Sequence, residues 1–151
     1  MTGGPTARRK RCSPQSAAEL YTITGTQQLP FNTIYQLAAA AGTPQLRAAS
    51  TLLLIPDLLA YWLTGEAGAE VTNPSTTGLY DITARDWARP LMRRAGIRPD
   101  LFPELRQPGQ VIGGLLPDSA RETGLAASVP MWRFAPDGDR RVWRDAAFRI
   151  A

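Results

Sequence analysis

Two short clusters hold the neutral hydrogen-bonding side chains of this 151-residue chain that could do chemistry together. Gln27, Gln28 and Asn32 stand at the mouth of one helix-like stretch, and Thr72, Asn73, Ser75, Thr76 and Thr77 follow another. Amides and hydroxyls donate and accept hydrogen bonds but do not exchange protons near neutral pH, so such clusters recognise or cap and do not catalyse acid–base steps. Asn73-Pro74-Ser75 reads first as a turn or helix start, where Asn, Ser and Thr satisfy orphan N–H groups. There is no histidine, which removes Ser-His-Asp and Cys-His nucleophilic centres and His-based metal sites. Cys12 is the only cysteine, so no internal disulfide can form, a pattern compatible with the cytoplasm. Gly113-Gly114 is not a phosphate loop, because it lacks the lysine and the following Ser or Thr.

The elements around these clusters follow from spacing. Leu52 to Ile55 run straight into Pro56, which predicts a short buried strand or extended segment. Pro56 suits a helix's first turn, and Asp57 puts a carboxylate where the helix dipole favours one. Leu58, Leu59, Trp62 and Leu63 then form an apolar face with Trp62 as core anchor, and Gly65 is the C-cap. Upstream, Ser16 and Glu19 form a capping box, and Tyr21 to Gly25 reads as a short extended piece or turn. Phe31, Ile34, Tyr35, Leu37 and Ala38 recur at helical spacing, and a second helix opens at Thr43-Pro44 and runs through Leu46 to Ala49.

Downstream, Tyr80-Asp81 leads into a linker. Asp86 caps a helix carrying Trp87, Leu91, Met92 and Ala95, with Arg89, Arg93 and Arg94 on a solvated face. Asp100 to Leu105 allows a short helix or turn, and Gly109 to Leu116 a short strand. Pro117 to Gly124 allows a helix with Ala120 and Thr123 inward.

The length suits one domain with a core. No run approaches the roughly 20 apolar residues of a membrane span, and the N-terminus lacks the apolar stretch of a secretory signal. The net charge of +4 sits at the ends: residues 1–20 carry +3, residues 132–151 carry +2, and the body carries −1. A near-neutral body makes a nucleic-acid partner a poor fit. Residues 1–17, rich in Gly, Pro and Ser around Arg8, Arg9, Lys10 and Arg11, read as a disordered basic tail.

IPDLLAYWLTG followed by TNPSTTGLYD resembles the FGGY carbohydrate kinases, sugar kinases of the actin-like ATPase superfamily, and within them the rhamnulokinase branch. YTITGTQQLPFNTIYQL upstream, and RDWARPLMRRAGIRPDLFPEL and PGQVIGGL downstream, follow in that family's order. The resemblance covers residues 18–131 and leaves residues 132–151 unmatched. It implies an α/β fold by ancestry, the actin-like (ribonuclease H-like) N-terminal kinase domain. Here that becomes a mainly helical fragment with a few short strands.

The resemblance also implies ATP and Mg as cofactors and a rhamnulose-like ketose as substrate. The loop carrying Gln27 and Asn32 would then approach the sugar, with Gln27 bonding a hydroxyl and Asn32 holding the loop. As plain residues, both read equally well as solvated turn residues. The family's phosphate hairpin and aspartate-bearing catalytic loop find no match. Asp137, Asp139 and Asp145 stand in no matching motif, so no catalytic residue and no metal ligand is assigned. The expectation is a truncated, inactive kinase segment. The alternative is a non-catalytic helical module binding a protein partner or a sugar.

Overall fold

The computed structural model describes residues 17–132. The Arg8 to Arg11 cluster, Cys12, Ser16, Asp137, Asp139 and Asp145 lie outside the described residues. In chain order the elements are α1 (Ala17–Thr24), α2 (Thr33–Ala40), α3 (Pro44–Ala48), α4 (Ile55–Thr64) and β1 (Ala69–Glu70). A 3-10 turn at Pro74–Thr76, β2 (Tyr80–Asp81), β3 (Asp86–Trp87) and α5 (Arg89–Arg94) follow. A second 3-10 turn at Pro99–Leu101, β4 (Leu105–Arg106), β5 (Val111–Gly113), α6 (Pro117–Thr123) and β6 (Met131–Trp132) complete them. The described chain is mainly helical with short strands, as expected. None of its helices is long and apolar enough to cross a membrane.

The described residues divide into two compact units, one of residues 17–52 and 74–102, the other of residues 53–73 and 103–132. In the first unit, α1, α2, the β2–β3 hairpin and α5 bury Leu20, Ile34, Leu79, Leu91 and Met92. Each such side chain contributes about 1.5–3 kcal/mol through the apolar surface it removes from water. Trp87 packs against Phe102 with ring centroids 4.7 Å apart and planes tilted by 55°.

Three expectations for this unit are corrected. Tyr21 to Thr24 is the end of α1, not an extended piece, and within it the Thr22 and Thr24 hydroxyls bond back to the Ala18 and Leu20 carbonyls at 2.9 Å. The linker after Asp81 is a hairpin turn, in which one Asp81 oxygen accepts from the Thr83 and Ala84 N–H groups at 2.9 Å each. Asp86 and Trp87 then belong to β3, where Trp87 pairs with Tyr80, so the helix starts only at Arg89.

The arginine face is solvated, and Arg94 still reaches Glu19 at 2.8 Å. Arg98 donates to the Arg47 and Ala49 carbonyls at 3.2 and 3.4 Å, closing the C-terminal end of α3, and pairs with Asp100 at 2.6 Å.

In the second unit β1 and β4 run parallel, with Ala69 opposite Leu105 and Glu70 opposite Arg106. β5 pairs antiparallel with β6. At Gly114 the backbone passes so close to the Ala127 carbonyl that a Cβ would lie 2.4 Å from its oxygen. α4 overturns the reading of its apolar face. Leu52 to Leu54 form no strand, Leu54 is extended, and the exposed Ile55 opens the helix. Leu59 and Trp62 are also exposed, Trp62 by 60%. The buried positions are Asp57 and Thr64, seven residues apart on one face. Asp57 accepts the Glu70 N–H at 3.0 Å, and Thr64 bonds back to the Ala60 carbonyl at 2.7 Å. Satisfying a buried carboxylate turns the helix, and Ile55, Leu59 and Trp62 face outward. In α6, Ala120 is inward as expected, but Thr123 is exposed.

Two measurements check this packing. Gly78 has φ +72° and would set a Cβ 3.1 Å from the Ile34 Cγ2. Gly78→Ala should therefore destabilise by about 1–3 kcal/mol in a denaturant titration. Trp62→Ala should change stability by no more than about 0.5 kcal/mol, as at other surface positions. A second check uses pH. The Arg98 guanidinium bonds Asp100 and holds its carboxyl below the usual carboxylate range. A lowered folded pKa adds stability that is present above the ordinary aspartate value, about 3.9, and is lost as pH falls through the folded one. Asp100→Asn should flatten the acid side of a Tm-against-pH curve, and high salt should shrink the difference because the pair is exposed.

Candidate functional site

The site is built in the first unit, where the chain leaves α1 and re-enters at α2. Gly25 (φ +64°) ends α1 in the left-handed conformation, its N–H bonding the Tyr21 carbonyl at 2.7 Å. The Thr26 hydroxyl donates to the Ser75 carbonyl at 2.7 Å. Gln28 spans the loop, donating to the Ala17 carbonyl at 2.9 Å and accepting from the Tyr35 hydroxyl at 2.9 Å. Asn32, 6% exposed, works in two directions: Oδ1 accepts the Leu29 N–H at 2.6 Å and Nδ2 donates to the Thr76 carbonyl at 3.0 Å. The Ile34 N–H donates to the Thr77 carbonyl at 3.1 Å, so both strands of the contact are pinned. Asn32 thus occupies the N-cap position of α2 but makes no side-chain capping bond and spends its amide on the loop.

Gln27 is exposed, and no hydrogen bond of its side chain joins it to the described residues. Phe31 is 69% exposed on the same loop. The sequence reading placed Phe31 on the helix's apolar face. The legible signal against that was Asn32 itself, a residue type favoured at helix N-caps, which starts α2 at Thr33 and leaves Phe31 outside. The structure therefore brings a fixed amide, a free amide and an exposed aromatic ring onto one loop. This combination suits a polyol, whose hydroxyls take amide hydrogen bonds and whose C–H faces lie against aromatic rings.

The second cluster is mostly engaged in holding turns. In the first unit, the Thr77 hydroxyl donates to the Pro74 carbonyl at 2.5 Å and accepts the Leu79 N–H at 3.0 Å. In the second unit, the Thr72 N–H donates to a Glu70 oxygen at 3.0 Å and its hydroxyl donates to the other. Asp57 and Glu70 are both buried and both accept from the protein, which fits neither as an open general base. Among the described residues no three acidic or cysteine side chains gather as a metal-ligand set.

Comparisons with known proteins identify the family of the chain. A rhamnulokinase of Enterococcus faecalis is 47% identical over 100 residues, which is 66% of this chain and 20% of the relative. A rhamnulokinase of Yersinia pestis is 44% identical over 114 residues, covering 74% of this chain and 23% of the relative. The chain thus spans about a quarter or less of the length of these relatives. The solved xylulose kinase of Lactobacillus acidophilus superposes with a TM-score of 0.76 at 20% identity, over 86% of this chain and 27% of that one, and so shares the fold. The sequence profile of the FGGY family of carbohydrate kinases, N-terminal domain, matches residues 9–140, and the chain belongs to that family.

Proposed function

We propose that residues 25–32 form one wall of a site for a rhamnulose-like ketose. Gln27 bonds a sugar hydroxyl, Phe31 lies against the sugar's C–H face, and Asn32 positions both by locking the loop. The supporting observation is the two-way use of the Asn32 amide, which fixes the loop while leaving Gln27 and Phe31 open to solvent. The names of the similar kinases support a ketose of the rhamnulose type. In FGGY kinases Mg–ATP supplies the phosphoryl group. The reading that this chain does not use it is supported by the lack, among the described residues, of any group of three acidic or cysteine side chains that could hold a metal ion. On this reading the chain binds sugar weakly in the cytoplasm and does not phosphorylate it.

Amide-resolved NMR titration with L-rhamnulose should move resonances of residues 26–35, with a Kd on the order of millimolar for a one-walled site. Gln27→Ala should weaken binding about 3–10-fold without changing stability, the worth of one hydrogen bond. Asn32→Ala should cost about 1–3 kcal/mol of stability by leaving buried loop groups unpaired. A coupled assay with rhamnulose and Mg–ATP should stay at background. Shifts confined elsewhere would sink the sugar site, and turnover that tracks the purified chain would sink the inactivity.

A further inference from the structure

Gln27 stands between two residues whose side chains turn back into the protein. The Thr26 N–H donates to the Thr24 hydroxyl at 3.2 Å, and the Thr26 hydroxyl donates to the Ser75 carbonyl at 2.7 Å, 49 residues further along the chain. The Gln28 amide joins the Ala17 carbonyl of α1 to the Tyr35 hydroxyl of α2, each at 2.9 Å. A carbonyl can only accept, so the amide nitrogen of Gln28 faces Ala17 and its oxygen takes the Tyr35 proton. Thr26 and Gln28 are half-buried and Gln27 between them is exposed, the alternation of an extended segment. The Asn32 amide makes its own bonds, to Leu29 and Thr76, and touches none of these groups.

We propose that Thr26 and Tyr35 are positioning residues for Gln27, with Tyr35 acting through the Gln28 amide. This rests on the sugar reading of residues 25–32 and adds an anchorage at the end of the loop that Asn32 does not reach. The bonds to Ser75, Ala17 and Tyr35 bracket Gln27 within one residue on either side. Fixing that backbone before a sugar arrives removes an ordering cost that binding would otherwise carry. Neither hydroxyl needs to touch the sugar, because each gives its proton to the protein. The effect is also confined. Phe31 adjoins Asn32, whose two bonds are separate, so loss of the Thr26 or Tyr35 hydroxyl loosens Gln27 and leaves Phe31 in place. A residue that acts only through Gln27 cannot weaken binding more than removal of the Gln27 side chain does.

Thr26→Val and Tyr35→Phe each delete one hydroxyl and keep the side chain's shape, whereas Thr26→Ser keeps the hydroxyl. In the sugar-free chain, nitrogen-15 relaxation should show the order parameters of the Gln27 and Gln28 N–H groups falling from about 0.85 toward about 0.6 in both deletions. Thr26→Ser should hold them at the parent value, and Phe31 and Asn32 should hold theirs in all three variants. With L-rhamnulose, each deletion should raise Kd about 2–5-fold, less than Gln27→Ala does. In a Gln27→Ala background neither deletion should raise Kd further, because the group being positioned is gone. A general loss of structure would instead add to the Gln27→Ala loss. Unchanged order at Gln27, or additive losses in that background, would overturn the proposal. The sugar reading fails on a different result, a parent chain whose resonances ignore L-rhamnulose. The relaxation data still decide in that case whether the two hydroxyls hold Gln27.

Discussion

The first unit depends on one side chain that bonds in two directions. Asn32 takes the Leu29 N–H on its oxygen and gives its amide hydrogen to the Thr76 carbonyl, so one planar group joins a loop to a turn remote in sequence. The surrounding contacts presuppose that join. The Ile34 N–H reaches the Thr77 carbonyl only when α2 starts where Asn32 leaves it, and Gly78 lets Ile34 approach closely. Aspartate would lack the donor, and glutamine would carry the amide one methylene too far. The exposed groups of the loop have a defined position because their neighbour has none of its own freedom left.

A chain of carboxylates governs the second unit in a similar way. Asp57 holds the Glu70 N–H, and Glu70 in turn holds the N–H and hydroxyl of Thr72. A buried carboxylate left unbonded costs far more than an exposed leucine, so the polar requirement sets the rotation of α4. The apolar stripe points out as a result. The same helix would satisfy its hydrophobic pattern better if turned, and the hydrogen bond to β1 forbids the turn.

That hierarchy also explains what was legible in the sequence. Helix ends marked by local chemistry were readable: Pro56 in the first turn, Gly65 and Gly124 in the left-handed cap, Thr43 accepting from the Leu46 N–H. The mainly helical character was readable for the same reason. The face of α4 was not, because the partner that orients Asp57 stands on β1, thirteen residues further on. The β2–β3 hairpin was missed because Arg85 adopts φ +54° where a turn of that kind ordinarily shows glycine. At the site, the amide-rich loop was visible as residue types. The division of labour between Asn32, buried and committed, and Gln27, exposed and open, depends on a contact with Thr76 that no local pattern encodes.

The way the two units share the chain bears on how the protein comes into being. β1 ends at Glu70 and its parallel neighbour β4 begins at Leu105, with the whole of the first unit's second segment between them in sequence. As the chain leaves a ribosome, β1 emerges as an unpaired edge and must wait for β4. Closing so long a loop is entropically mild, about 0.6 kcal/mol per doubling of length, but it is slow compared with local helix formation. During that interval the waiting strand and the uncharged face of α4 are exposed together. The nascent chain is most open to self-association and to chaperone capture between the emergence of residue 70 from the ribosome and that of residue 106.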